Sequence, residues 1–260
     1  MAVEREEEQC MKILYIFPHP DDESFGPAAA MHAQLKRGHE VHLLTLTRGG
    51  ATRQRFRLGL DVEQMGEVRY REMLQVERTL GLTSMTVLDF PDSGLKELDP
   101  RVLELAVGEH LSRIRPDVVV TYPVHGISGF HDHLVTHAVV KRAFLDLKDQ
   151  GSTYLKRLAF YTIPDSGEPG LDDQGRFRLR HSDEALIDVV MPLDPEDVEA
   201  MKKALACYAT YQSTIEATGV IEKVGNTVYF EIFGEDHKPP LKDITERIDP
   251  PADPCGQSEA

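Results

Sequence analysis

His19, Asp21, Asp22 and Glu23 stand within five positions in "FPHPDDESFG", directly after the apolar run "ILYIF". An imidazole and three carboxylates are costly to crowd at the end of a buried strand unless a cation lies among them. A second cluster, "HDH" at residues 131–133, opens another segment of helical pattern. Imidazole nitrogen and carboxylate oxygen are zinc ligands, and a three-ligand set leaves one position open for water, which is the catalytic arrangement; structural sites are closed, usually by cysteines. His19 and Asp22 are close enough in sequence to serve one ion, with a third ligand arriving from elsewhere. The plain alternative for "HPDD" is a turn in which Asp21 or Asp22 caps a helix.

The elements that must position these groups follow from hydrophobic periodicity. "KILYIF" (12–17), "EVHLLTLT" (40–47), "SMTVLDF" (84–90) and "PDVVVTY" (116–122) read as strands, the last buried on both faces by its continuous valines. Between and after them, "SFGPAAAMHAQLKRGH", residues 63–81, 99–115 and 132–147 read as helices. This alternation predicts right-handed βαβ units in a Rossmann-like α/β fold, a mostly parallel open sheet flanked by helices. Ligands of such sheets bind beyond the carboxyl ends of the strands. That edge receives "PHPDDE", "PDSG" (91–94) and "YPVHGISGFHDH" (122–133), so a zinc site is expected there. Beyond residue 150 the rhythm loosens: "LKRLAFYTI", "ALIDVVMPL" and "TVYFEIFG" read as strands and "EDVEAMKKALACYATYQS" as one long helix. Residues 1–11 read as an acidic extension, 12–234 as a single domain and 235–260 as a polar, proline-rich tail ordered only in part.

Composition narrows the function classes. The net charge of −15 argues against a nucleic-acid partner, which needs clustered Lys and Arg. Arg48, Arg53, Arg55 and Arg57 are a local exception, read as a solvated loop or as one that closes over a substrate. No apolar stretch reaches the roughly 20 residues of a membrane span. Three scattered cysteines, Cys10, Cys207 and Cys255, predict free thiols in a reducing, cytoplasmic compartment. The first strand-to-helix turn lacks GxGxxG, and its carboxylates would repel a pyrophosphate, which argues against a nucleotide-binding module.

"PHPDDE" before a helix, with a later "HDH" opening another, resembles the PIG-L/LmbE-like family of zinc-dependent de-N-acetylases. "LTLTRGGA", "VRYREML", "FPDSGL" and "YQS" support the likeness, in detail over residues 12–147 and loosely over 194–213. The resemblance implies one zinc per subunit, held by His19, Asp22 and His133, with Asp21 as the general base towards water. It implies substrate contacts from Arg69 and Asp92, although an exposed Arg69–Glu72 pair on one helix face and a Pro-Asp-Ser-Gly turn account for the same residues without function. On this reading the zinc is the positive partner of Asp21, Asp22 and Glu23.

The implied activity is removal of an N-acetyl or related acyl group from a small amino-sugar conjugate. The alternatives are an amidase acting on a thiol-sugar conjugate and a degenerate member that only binds sugar. A homo-oligomer, trimer or hexamer, is a further option that the family suggests. The chain departs from the family's HPDH pattern in reading Phe130-His131-Asp132-His133, so the first histidine of the pattern is a phenylalanine. His131, one position on, is the expected helper for the oxyanion, and His125 a second histidine within reach.

Overall fold

Ile13, Leu14, Tyr15, Ile16 and Phe17 are all fully buried, because the strand that carries them is covered on both faces. Alternation along this strand divides the core in two. Ile13, Tyr15 and Phe17 belong to one apolar layer, and Leu14 and Ile16 to the other. The structure is a computed structural model, and it describes residues 9–165 and 179–249.

The elements in chain order are β1 (Lys12–Phe17), α1 (Pro27–Lys36), β2 (Glu40–Thr47), α2 (Gln54–Leu58), α3 (Val62–Leu80), β3 (Ser84–Phe90), α4 (Pro100–Ile114), β4 (Val118–Thr121) and α5 (His131–Asp149). They continue with β5 (Arg157–Thr162), β6 (Val189–Pro192), α6 (Pro195–Cys207), α7 (Gln212–Thr218), α8 (Val220–Val224) and β7 (Thr227–Ile232). The sheet order is β3-β2-β1-β4-β5-β7-β6. The first five strands are parallel, and β7 runs antiparallel to both β5 and β6. The expected Rossmann-like fold is therefore observed, with a mixed edge. Helices α1, α3 and α6 cover the face of Ile13, and α4 and α5 cover the face of Leu14.

The strand order fixes where chemistry can occur. β1 pairs with β2 on one side and with β4 on the other, through Ile13↔Val118 and Tyr15↔Val120. The winding direction changes between these two strands, and the loops leaving their carboxyl ends diverge to leave a crevice. One loop carries "PHPDDE" and the other leads to "HDH".

Several expectations need correction. Residues 235–249, the described part of the expected tail, are packed: Leu241, Asp243 and Ile244 are buried, and Arg37 Nη1 donates to Asp243 Oδ2 at 2.5 Å. Leu241 also bridges to Val189 at the sheet edge, and Arg157 donates to the Ile244 and Glu246 carbonyls. Two apolar residues in a polar stretch suffice to anchor it. The long helix expected over 196–213 ends at Cys207, where the fully buried Tyr208 turns its hydroxyl onto Glu23 Oε1 at 2.6 Å, and two short helices, α7 and α8, follow. Cys10 is disulfide-bonded, whereas Cys207 is free. Spacing cannot reveal such a pairing. Among the described residues no helix is long and apolar enough to cross a membrane.

Candidate active site

His19 and Asp22 leave the end of β1, and His133 lies in the first turn of α5. Their ligand atoms lie within 4.8 Å of one another. Asp22 sits between the two imidazoles, with Oδ2 at 3.5 Å from His19 Nδ1 and Oδ1 at 3.4 Å from His133 Nε2. Metal–ligand bonds of about 2.1 Å in a tetrahedral array place neighbouring donor atoms about 3.4 Å apart. The spacing and donor types therefore fit a zinc-sized ion.

Hydrogen bonds decide which nitrogens face that point. His133 Nδ1 lies 2.9 Å from the Gly126 carbonyl, which can only accept, so Nδ1 carries the proton and Nε2 keeps its lone pair. Gly126 makes this approach possible: its φ is +62°, and a Cβ there would come within 2.8 Å of His133 Cβ. Burial, more than any neighbouring charge, lowers the His133 pKa and favours the neutral ring a ligand requires. Tyr122 stacks on that ring at 4.4 Å and donates its hydroxyl to Asp22 Oδ1 at 2.8 Å. Asp22 Oδ2 accepts the His19 backbone N–H at 2.9 Å.

Asp132, which sequence reasoning passed over, orients the other imidazole. Its Oδ2 lies 3.1 Å from His19 Nε2 and accepts the Ser93 N–H at 2.7 Å, while Oδ1 accepts the Leu95 N–H at 3.2 Å. His19 therefore donates through Nε2 and offers Nδ1, a carboxylate–histidine arrangement common behind metal ligands. Its position between two histidines in "HDH" was the available signal. His19, Asp92 and Asp132 also converge closely enough to suggest a second ligand group. The first group offers two imidazoles and one carboxylate against one imidazole and two carboxylates, so it is the better zinc site. Asp132→Ala is expected to weaken zinc affinity by about 10–100-fold. Competition with a chromophoric chelator measures it, and an unchanged affinity would remove Asp132 from the site.

Asp21 is not in the ligand group. Its backbone φ is +86°, a left-handed conformation uncommon for a side-chain-bearing residue. The turn is closed by the Ser24 and Phe25 N–H groups donating to its carbonyl at 2.8 and 3.1 Å. Arg69 Nη2 donates to Asp21 Oδ2 at 2.6 Å and to the Pro20 carbonyl at 2.5 Å. Burial pushes the Asp21 carboxyl up to about 6, against the opposing pull of the Arg69 guanidinium.

Arg69, expected to contact substrate, meets Asp21 in this structure. The residue is 2% exposed, with its guanidinium 4.2 Å from the Tyr211 ring centroid and turned to Asp21, away from solvent. It does not pair with Glu72, whose oxygens accept the Thr210 N–H and hydroxyl at 2.8 Å each. Nor does a single cation serve all three acids of the motif. Arg69 answers Asp21, and Glu23 is bonded to Ser24 and Tyr208 in the interior, where burial pushes its pKa up to about 7.

Asp92 reaches the site but faces inward, Oδ1 3.3 Å from His19 Nε2 and Oδ2 accepting the Ala51 N–H at 2.6 Å. The bond to Ala51 fixes the loop after β2. That loop is docked further by Thr52 on Tyr211 (2.8 Å) and Gln54 on Thr214 (3.1 Å). Arg48 pairs with Glu67 at 3.2 Å, so part of the arginine cluster is structural. His131 is exposed, and no hydrogen bond or ion pair joins it to the site among the described residues. The first position of a helix points its side chain outward here, while the next two, Asp132 and His133, turn in. His125 is spent on Ser182, 3.1 Å from its Nε2. Burial lowers its pKa to about 4, so it makes a poor proton donor to this site.

Residues 14–144, just over half of the 260, match the family described as PIG-L, GlcNAc-PI de-N-acetylase. A 1D-myo-inositol 2-acetamido-2-deoxy-alpha-D-glucopyranoside deacetylase of Mycolicibacterium smegmatis is 28% identical over 262 residues, covering 87% of this chain and 88% of that protein. A mycothiol S-conjugate amidase of Streptomyces coelicolor is 32% identical over 152 residues, 52% of each chain. The matches to this amidase and to several other relatives thus span about half of those proteins' length. A deacetylase of the teicoplanin biosynthetic pathway superposes with a TM-score of 0.64 at 16% identity, over 85% of this chain and 97% of that one. The 4-carboxy-2-hydroxymuconate hydratase GalB of Pseudomonas putida superposes at 0.61, also at 16% identity, over 86% and 97%. At such identity the superpositions speak for the fold alone, and the two different chemistries it carries show why. The match to the family across both motif loops carries the assignment: this chain belongs to the GlcNAc-PI de-N-acetylase (PIG-L) family.

Proposed function

We propose that the protein is a zinc-dependent hydrolase that removes the N-acetyl, or a related acyl, group of a small amino-sugar conjugate. The observation that carries this reading is the convergence of His19 Nδ1, Asp22 and His133 Nε2 beside an aspartate that is not one of them. A zinc ion held by those three residues would lower the pKa of water and polarise the amide carbonyl. Arg69 holds one Asp21 oxygen, and the other carries no hydrogen bond among the described residues. That free oxygen takes a proton from the attacking water and returns it to the amide nitrogen as the C–N bond breaks, leaving a carboxylic acid and an amine. Asp132, Gly126 and Tyr122 keep the two imidazoles and Asp22 aimed at one point, so little reorganisation is needed during reaction. His131, exposed as it is, has no part in this scheme.

The amidase relative favours a second reading, cleavage of the amide in a thiol-sugar conjugate, which the same groups would perform on a larger acyl portion. A panel of N-acetylated amino-sugar conjugates, with thiol conjugates beside them, separates the two by product. Free amine with equimolar acetate is expected, abolished by a chelator and restored by zinc. Protein that carries zinc yet releases amine from no member of either set would overturn the reading.

A further inference from the structure

Phe130 occupies the first position of the second motif, and it is 66% exposed. Its ring meets the His133 ring edge-on, centroids 5.7 Å apart at 81°. It is thus one ring contact from the imidazole whose Nε2 faces Asp22. Val124 (70% exposed) and Leu134 (36%) are carried by the same corner. The turn through Gly126 packs directly on residues 133 and 134, a Cβ at Gly126 falling 3.2 Å from Leu134 Cδ2. Single exposed apolar residues are ordinary. Phe130, in ring contact with a candidate ligand histidine, and Leu134, beside the Gly126 turn, put apolar surface next to the reacting position.

Resting on the function proposed above, the geometry points to a substrate class: we infer that the site takes N-acyl amino sugars whose acyl chain is longer than acetyl, and that Phe130 is the wall receiving the chain. Asp21 can act on the amide only when the scissile carbonyl lies against Asp22 and His133. The acyl substituent is bonded directly to that carbonyl carbon, which puts its first few carbons within reach of a ring packed on His133. The sugar leaves on the other side of the amide, and its hydroxyls have no partners on Phe130, Val124 or Leu134. No second copy of the chain need cover this corner for the wall to act.

The test is a series of N-acetyl, N-butyryl, N-hexanoyl and N-octanoyl glucosamines, read in two ways. Free-amine release by the zinc-loaded enzyme gives kcat/KM, and calorimetry with zinc-loaded Asp21→Asn gives affinity without turnover. Half-burial of each added methylene should raise both by about twofold, hence roughly fifteenfold over the four methylenes from acetyl to hexanoyl. In Phe130→Ala the slope should flatten, and in Phe130→Leu it should persist. Because Phe130 is largely exposed, neither change opens the core.

A flat or falling series, a slope indifferent to Phe130→Ala, or a gain that follows an apolar aglycone and not the acyl chain overturns the inference. Release of acetate without any chain-length slope leaves the deacylase reading standing and sinks this one. A Phe130-dependent slope in affinity with no amine from any member does the reverse.

Discussion

Asp21→Asn is expected to keep its zinc and to lose about 10²–10⁴-fold in kcat, the usual contribution of a positioned base. The change is nearly isosteric, and Asn tolerates the left-handed conformation at φ +86° better than most residues, so the turn survives. The proposed ligand atoms belong to His19, Asp22 and His133, none of which this substitution replaces. What disappears is the oxygen that accepts the proton. Elemental analysis and amine release on one preparation measure both halves of the expectation. Near-normal activity with zinc in place would remove Asp21 from the mechanism. Loss of zinc would make it a ligand.

Arg69→Met is expected to destabilise the fold by about 3–5 kcal/mol, the scale for removing one partner of a buried ion pair. The guanidinium is 2% exposed and the Asp21 side chain 14%, so water cannot readily replace the lost contact. Gly49 leaves no slack either: a Cβ at that position would lie 2.9 Å from Arg69 Nε. Urea unfolding should show a lower midpoint with an unchanged slope. Asp21→Asn combined with Arg69→Met should recover part of the loss, since the uncompensated charge is then gone, and the non-additivity measures the coupling. A substrate-contacting arginine would behave differently, altering kcat/KM and leaving the midpoint in place.

Much of the frame was legible because it rests on local pattern. Strands β1 to β4 and the helices between them follow from continuous apolar runs and helical spacing, and their alternation dictates a parallel sheet whose active edge is known in advance. Of the expected ligands, His19 and Asp22 stand at the end of a readable strand, whereas His133 came only with the family resemblance, through "HDH" at the head of a readable helix. The role of Arg69 was not, because it depends on Asp21 from one element and Tyr211 from another, neither near it in sequence. Asp132 escaped since its two backbone donors, Ser93 and Leu95, come from the loop after β3. Strands β6 and β7 were legible as strands, but their antiparallel sense is set by pairing that local pattern does not carry, and the packed segment 235–249 was hidden by polar composition around Leu241, Ile244 and Ile248. The end of α6 at Tyr208 is a tertiary effect, set by the buried hydroxyl that Glu23 requires.

The neighbouring of β1 and β4 reaches beyond catalysis into folding. His19 and Asp132, which meet at 3.1 Å, are 113 positions apart in the chain. Closing a segment that long in an unfolded polypeptide costs about 4 kcal/mol of loop entropy, so the denatured chain offers no comparable metal site. Zinc bound as proposed would clip together the two central strands and act as a reversible cross-link through the middle of the sheet. At a hundred times its dissociation constant it would add about 2.7 kcal/mol to the native state. Scarcity of the ion would then lower the folded population together with the active fraction, and proteolysis would make the abundance of the enzyme follow the supply of its metal.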